Sequence, residues 1–323
     1  MKTELNHKKA LIIGVSGQSG TYLSKFLLEK GYEVYGTSRD HEVVSFSGLK
    51  KLGIFNQVNL FSMVTTDFRS VLKVIDVVRP DEIYNLAGQT SVGYSFSQPV
   101  ETIESIVDGC LNILESVKFL KLNSKIFNPC SSECFGDTIE IANEKTNFDP
   151  MSPYAVSKVS SFWLTKNYRN SYDIFTCSGI LSNHESPLRN ERFVTMKVVN
   201  SAKRISDGVQ DKLEIGNIDI IRDWGWAEEY VEAMWLLLQQ EVPDDYIICT
   251  GKSISLEEFI RYTFEKFGLD YKKYIIINDS FKRPSDIKIG QFSNKKIADK
   301  LNWIPKYSVY DVIDKLVDSV KIK

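Results

Sequence analysis

The sequence predicts an α/β fold built on a doubly wound parallel sheet, with a smaller lobe interleaved toward the C-terminus. Three observations predict it. Through residue 182, apolar runs of strand length alternate with stretches of helical period, and strands alternating with helices form a parallel sheet covered on both faces. The first run ends in a glycine-rich turn that opens a helix. Past residue 182 the alternation breaks into polar, irregular segments with no separate linker. The expected division is a first domain over 1–182 and a smaller lobe over 183–323, some of whose segments return to the first domain.

In chain order, Ala10 to Val15 is an apolar run that ends in Gly14-Val15-Ser16-Gly17-Gln18-Ser19-Gly20, and TYLSKFLLEKG follows with helical period and a glycine stop. Glycines let the backbone approach a pyrophosphate, and the helix N-terminus offers amides and the positive end of its dipole. The glycines alone would also suit a plain turn. The strand before and the amphipathic helix after favour a dinucleotide site, hence a Rossmann-type sheet. The second strand, Tyr32 to Thr37, ends at Ser38-Arg39, where NAD-binding folds usually carry an acidic residue. A small polar residue followed by arginine suits a ribose 2′-phosphate. The expected cofactor is NADP, with NAD as the alternative, because Asp40 could neutralise Arg39 or take the ribose itself.

His41 to Gln57 reads as a polar connection, and Phe61 to Thr66 as a third strand ending at Asp67. That aspartate either caps the next helix or hydrogen-bonds the adenine. SVLKVIDVVRP is a helix stopped by Pro80. DEIYNLAG is a strand entering a small-residue turn, where Leu86 and Gly88 lie beside the cofactor path. Val100 to Leu122 reads as one long helix, Lys125 to Cys130 as a strand, Pro153 to Tyr172 as a helix and Asp173 to Ile180 as a strand. Leu111, Leu114, Tyr154 and Trp163 on the two long helices either supply a dimer surface or simply pack the core. The second lobe shows helical patterns near Lys197–Asp207, Glu228–Gln240, SLEEFIRYTFEKFG, Ala298 and Val312, with YIICTG and YIII as strands.

The chemistry concentrates between Lys125 and Lys158. Ser131, Ser132 and Glu133 follow a strand, and Tyr154-x-x-x-Lys158 lies on the helix beyond. Four-residue spacing puts the tyrosine and lysine on one helix face, where the ammonium favours the phenolate and makes Tyr154 a plausible base. Alone, that spacing commonly decorates a solvated face. Likewise Ser131 and Ser132 could merely bond a turn, and Glu133 could be a surface charge, but apolar runs on both sides argue for its burial.

With 323 residues, 43% hydrophobic and 25% charged, the chain can bury one large or two modest cores. A net charge of −2 gives no reason to expect a nucleic-acid or anionic-membrane partner. No apolar run reaches membrane-spanning length, and MKTELNHKKALIIGV lacks a signal-peptide pattern, so a cytoplasmic protein is expected. Cys110, Cys130, Cys134, Cys177 and Cys249 are scattered without metal-ligand spacing. They read as reduced packing residues, and no metal site is expected.

The stretches GVSGQSGTYLSKFLLEKGYEVYG, RPDEIYNLAGQTSV, SSECFG, SPYAVSK, NHESPLRNERFVTMK, GNIDIIRDWGWAEEYVEAMW and RPSD together resemble the GDP-mannose 4,6-dehydratase family, a nucleotide-sugar branch of the extended short-chain dehydrogenase/reductases. The resemblance implies a dehydratase acting on a GDP-sugar, GDP-mannose or a relative such as a GDP-heptose. Its implied catalytic residues are Ser131, Glu133, Tyr154 and Lys158. His184 and Arg189 match positions that touch the cofactor. Ser132, Asn183, Lys197, Arg222 and Arg283 match substrate positions, the last four around the nucleotide diphosphate, and Asp286 matches the acidic residue that takes the ribose. Individually such charges are more often solvated surface groups. A homodimer is expected. Tetramerisation is left open, because Arg39-Asp40-His41 replaces the family's double-arginine loop. Trp226, Glu101 and Leu188 also depart from the family pattern at positions expected near the sugar or nucleotide. The alternatives are a carbon-4 epimerase or oxidase, a nucleotide-sugar decarboxylase, and a non-catalytic cofactor-binding module.

Overall fold

The computed structural model describes residues 7–321, so the reading of the leader, which rests partly on residues 1–6, lies outside the described residues. Two compact units emerge. Unit 1 comprises the described residues up to Ser131, then Pro153–Ile180 and Tyr230–Tyr246; unit 2 comprises Ser132–Ser152, Leu181–Glu229 and the described residues from Ile247 onward.

Unit 1 begins with β1 (Lys9–Ile13) and α1 (Gln18–Glu29), and Gly31 ends the helix at φ +81°. β2 (Glu33–Ser38) follows. The connection expected over His41–Gln57 holds a short helix, α2 (Ser47–Lys51). Its Leu49 is buried and its Gly48 lies against Thr21, where a Cβ would fall 2.7 Å from Thr21 Oγ1. Five residues are too few for a helical period to show in sequence. β3 (Asn59–Ser62) is displaced from the expected Phe61–Thr66, because its partner β2 ends at Ser38 opposite Ser62 and a turn closes from Asp67 N to Val64 O at 3.1 Å. α3 (Phe68–Val78) is capped by Asp67, whose carboxylate accepts from Arg69 N at 3.0 Å.

β4 (Glu82–Asn85) leads to α4 (Val92–Ser97), capped by Ser91, and to α5 (Pro99–Ile103). A π turn over Glu104–Asp108 joins α5 to α6 (Gly109–Phe119). The expected Val100–Leu122 helix is thus interrupted, and it stops at Phe119 because Lys121 turns left-handed at φ +51°. β5 (Lys125–Ser131), α7 (Pro153–Tyr172) and β6 (Thr176–Leu181) complete the first pass. Pro153 opens α7 at the first helical position, where its missing N–H is no loss. β6 starts later than the expected Asp173, which sits at φ +55°.

Unit 2 contributes β7 (Asn183–Glu185), α8 (Val194–Ser206), β8 (Leu213–Ile215) and β9 (Ile221–Trp226). α9 (Ala227–Leu238) carries the chain back into unit 1, and β10 (Tyr246–Ile248) leads out again. β11 (Ser253–Ser255), α10 (Leu256–Glu265), β12 (Ile275–Ile277), α11 (Lys295–Leu301) and α12 (Val309–Lys321) follow. The central sheet runs β10-β6-β5-β4-β1-β2-β3, and β3-β2-β1-β4-β5 pair in parallel. The order reverses direction between β1 and β4, the switch point where such sheets bind ligands at their carboxyl ends.

On one face of the sheet, Leu11, Ile13, Ile83 and Ile126 pack against Val71, Ile75, Ile113 and Val117 of α3 and α6. Unit 2 has its own core, in which Val199, Phe259, Phe264, Val312 and Leu316 of α8, α10 and α12 surround Trp224 of β9. Of the residues offered as a dimer surface, Leu114 and Tyr154 are buried in unit 1, while Trp163 stays exposed. The five cysteines are buried and form no disulfide among the described residues, and burial pushes the Cys110 thiol up to about 11. Among the described residues no helix is long and apolar enough to cross a membrane.

A buried ion pair ties α7 and β6 to the segment before β10. Arg169 sets its fork on Asp245, with Nη1 to Oδ2 at 3.1 Å, and Nε donates to Thr176 O at 2.8 Å. Asp245 also accepts from Ser178 N at 2.8 Å. Arg169→Met would strand the carboxylate, which typically costs about 3–5 kcal/mol. The expected outcome is a denaturant-unfolding midpoint well below that of the unmutated protein, read by circular dichroism.

Candidate active site

The unit 1 candidates share one edge of the sheet because the turns that carry them follow β1, β2, β4 and β5, adjacent strands in one parallel array. Gly14 leaves β1 at φ +87°, and a Cβ there would lie 2.8 Å from Ala87 N and 2.9 Å from Leu86 O. Only glycine allows the two loops to approach this closely. Gly14 N and Val15 N both donate to Thr37 O at 3.1 Å, which fixes the turn to the end of β2. Gly17 stands at the N-cap of α1 without a capping side chain, and a Cβ on Gly20 would meet Gly14 O at 2.5 Å. Ser16 and Gly17 are exposed, while Gln18 and Ser19 are partly buried. Helix N-terminus and bare glycine turn together make an anion cradle. Leu86 N extends the ladder to Ile13 O at 2.8 Å, and Gly88 turns at φ +124° beside the π turn, with Ile106 Cγ1 3.3 Å from where its Cβ would be.

At the end of β2, Ser38 is 9% exposed and its Oγ is buried with no hydrogen-bond partner among the described residues. An orphaned hydroxyl beside a glycine cradle is what a bound ribose would satisfy, so these residues fit a dinucleotide. Arg39 is exposed and forms no ion pair among the described residues. Asp40 instead accepts from Glu42 N at 3.0 Å, so it is bonding its own turn rather than neutralising Arg39. For Asp67 the helix cap is the role observed.

Tyr154 and Lys158 share the α7 face that packs on β5, and they are 8% and 6% exposed. Lys158 Nζ donates to Pro129 O at 2.9 Å and stands 5.8 Å from the Tyr154 ring centroid. An ammonium has three donors, and this bond fixes one of them on the carbonyl two residues before Ser131. Ser131 itself closes β5 and is buried.

In unit 2 the chain continues as a tight turn over Ser132–Phe135, with the Glu133 side chain 14% exposed. Three segments are laced together here. Ile221 N donates to Lys288 O at 2.7 Å and Gly290 N to Ile221 O at 2.9 Å, while Thr138 N donates to Ile289 O at 2.9 Å. Asp137 Oδ1 accepts from both Lys288 N and Ile289 N. This lacing gathers Glu133, Arg222 and Asp286, which lie just upstream or within these segments. Arg222 Nε is 3.5 Å from Glu133 Oε1, Arg222 Nη2 is 3.4 Å from Asp286 Oδ1, and Arg283 Nη1 is 3.2 Å from the same oxygen.

His184 and Arg189 flank a second buried group. Arg189 lies 3.6 Å over the Phe193 ring and 3.4 Å from Glu185 Oε2, and Glu185 also accepts from Thr195 Oγ1. Asn183 pairs with Trp224 in the β7–β9 ladder. Lys197 on α8 stands 4.1 Å over Phe281, and burial lowers its pKa. The residue that sequence reasoning passed over is Asp223. It accepts from Ser182 Oγ, Thr250 N, Thr250 Oγ1 and Gly251 N, at 2.8 to 3.0 Å. Burial raises its pKa and these donors oppose the rise. A charged residue inside the apolar strand IIRDWGW was the available signal.

The model of the GDP-mannose 4,6 dehydratase family matches residues 11–316. The chain belongs to the GDP-mannose 4,6-dehydratase family. It is 42% identical to GDP-mannose 4,6 dehydratase 2 of Arabidopsis thaliana over 321 residues, covering 96% of this chain and 86% of that protein. It is 35% identical to GDP-mannose 4,6-dehydratase of Yersinia enterocolitica, covering 96% and 93%. The UDP-glucose 4-epimerase of Thermus thermophilus superposes with a TM-score of 0.85 at 24% identity, covering 97% of this chain and 99% of that one, a likeness of fold.

Two residues that depart from the GDP-mannose 4,6-dehydratase pattern have protein partners in the structure. Trp226, expected near the sugar, is buried in the unit 2 core, edge-on to Tyr307 with its Nε1 donating to Glu228 Oε2 at 3.1 Å. Glu101 accepts from Tyr94 OH at 3.1 Å on an exposed surface.

His184 keeps some solvent contact, yet burial first and Arg189 second lower its pKa to about 4. Its Nδ1–H donates to Ser182 O at 3.1 Å, which places the proton of the neutral ring. Between its ordinary value near 6.5 and about 4, the unfolded chain binds a proton that the folded protein does not. Stability should therefore fall as pH drops through that window. The expected outcome is a thermal midpoint that declines from pH 7 to pH 5 and declines less in His184→Asn.

Proposed function

We propose that the protein is a GDP-sugar 4,6-dehydratase, converting GDP-mannose or a closely related GDP-sugar such as a GDP-heptose to its 4-keto-6-deoxy product, with NADP as cofactor and NAD as the alternative. The observation that carries this reading is Glu133, a mostly buried carboxylate two residues past the strand that ends at Ser131. An epimerase acting at carbon 4 has no use for an acid and base at carbons 5 and 6.

The glycine turn from Gly14 to Gly20 would hold the pyrophosphate of the cofactor, Ser38 and Arg39 its adenosine ribose phosphate, and Leu86, Gly88, Lys158, His184 and Arg189 the rest. The nicotinamide, when bound, would supply reversible hydride chemistry between carbon 4 and carbon 6. Tyr154 removes the proton of the carbon-4 hydroxyl, and Lys158 keeps the phenol acidic while Ser131 orients that oxygen. The ketone so formed acidifies carbon 5. Glu133 takes that proton and delivers it to the departing carbon-6 hydroxyl, which leaves as water. Glu133, reprotonated from solvent, would then protonate carbon 5 as hydride is restored to carbon 6, and Tyr154 would release to solvent the proton it took. Arg222, Arg283, Lys197 and Asn183 hold the diphosphate, for which arginine forks are suited, while Ser132 holds the sugar and Asp286 the ribose. Exposed Val100, Ile103 and Trp163 on α5 and α7 support a homodimer in the same reading, and a cytoplasmic location goes with it.

Tyr154→Phe should abolish both cofactor reduction and water loss. Glu133→Gln keeps the shape but cannot take the carbon-5 proton, so in single-turnover mixing reduced nicotinamide should accumulate without dehydrated product. Elimination at close to the normal rate in that variant would remove Glu133 from its role. For the cofactor, calorimetry should find NADP bound more tightly than NAD, with Arg39→Ala narrowing the gap. Equal or tighter NAD binding to the unmutated protein would shift the ribose contact away from Arg39.

A further inference from the structure

Arg222 faces two carboxylates of different assigned purpose. Its side chain is 6% exposed; Nε points to Glu133 at 3.5 Å, Nη2 to Asp286 at 3.4 Å, and Nη1 donates to Ile221 O at 3.0 Å. Arg283 adds a second cation on Asp286. Two guanidinium groups and two carboxylates balance without a ligand, and the backbone lacing of 137–142, 221 and 288–293 holds the group together. A diphosphate brought to these arginines adds negative charge that the balance does not provide for. A planar fork that already serves two carboxylates must turn at least one of its edges toward the phosphates.

We propose that Arg222 is a positioning residue that couples the two ends of the substrate: it holds Glu133 while the diphosphate position is empty, and the arriving diphosphate draws it off and releases the carboxylate from this cation. Asp286 also has Arg283 and keeps that partner through the exchange, while Glu133 gives up its contact with Arg222. Glu133 is held toward Arg222 until then, so proton abstraction is tied to the arrival of a diphosphate. The proposal rests on the reading that Arg222 and Arg283 take the diphosphate of a GDP-sugar.

Glu133 and the diphosphate then compete for one guanidinium, and competition is measurable without turnover. GDP has no sugar for Glu133 to touch. Calorimetry of GDP binding to the full chain loaded with NADP is compared for the unmutated protein, Glu133→Gln, Arg222→Gln and the double variant, with guanosine as the probe lacking phosphates. Glu133→Gln should tighten GDP on the order of tenfold, as expected for directly coupled groups, and leave guanosine unchanged. In the Arg222→Gln background the same change should have no effect. An unchanged GDP affinity in Glu133→Gln overturns the proposal. So does equal tightening with Arg222 absent, which would mean that Glu133 repels the phosphates directly. Should Arg222→Gln fail to fold, Arg222→Lys replaces it: an ammonium lacks the fork, so the Glu133→Gln effect should shrink to a few-fold at most, and an undiminished effect overturns the coupling. Failure of the unmutated protein to bind GDP at all has a different signature and overturns the proposed function with it.

Discussion

A guanidinium that is nearly out of contact with water persists only where carboxylates and carbonyls replace its hydration, and Arg222 imposes that demand on unit 2. Glu133, Asp286 and Ile221 O meet it. Each comes from a different stretch of chain, and backbone pairing of 288–290 with 221 on one side and 138 on the other keeps them in register. Asp137 reinforces this by accepting two consecutive amides of the middle segment. Asp223, the next residue along β9, does comparable work on the opposite side of the backbone by gathering Ser182, Thr250 and Gly251. Successive side chains of a strand point to opposite faces, so one strand delivers a cation to the candidate site and an anion to the scaffold behind it.

Unit 1 meets a different constraint, steric rather than electrostatic. The loops after β1 and β4 touch backbone to backbone at Gly14, and α1 starts against the same carbonyl at Gly20. No side chain fits at either place. Beside them lie the start of α1 and, at the end of the adjacent strand, the Ser38 hydroxyl with no hydrogen-bond partner among the described residues. The π turn of Glu104–Asp108 belongs to this neighbourhood, since Ser105 Oγ accepts from Gln89 N at 3.2 Å and Ile106 crowds Gly88. A widened helical turn is a common accommodation where a helix must pass a functional loop.

The parts legible in sequence were those with a local signature. β1, the glycine turn and α1 were readable because apolar run, glycine spacing and helical period coincide within about twenty residues, the scale on which such signals operate. α7 was readable to its ends, Pro153 and Tyr172. The π turn was not, because Val100 to Leu122 keeps a helical period while one extra residue is accommodated. α2 was too short, and β3 was set by the end of its partner rather than by its own apolar content. In unit 2 the lacing joins residues 151 positions apart with no regular strand on either side, so no period exists to be read. The Glu133–Arg222 pair was hidden for a related reason: each residue type already had a sufficient explanation in a different part of the substrate.

Protein partners distinguish the departures from the family pattern. Trp226 is 6% exposed, has Lys315 5.3 Å over its ring and uses its one N–H on Glu228. Its neighbours in the core accommodate it. Glu101 of α5 accepts from Tyr94 OH of α4. Arg39 differs from both, since it is exposed at the end of β2 with no carboxylate on it and stands next to the orphaned Ser38 hydroxyl. The sequence difference with most room to act therefore lies at the end of β2.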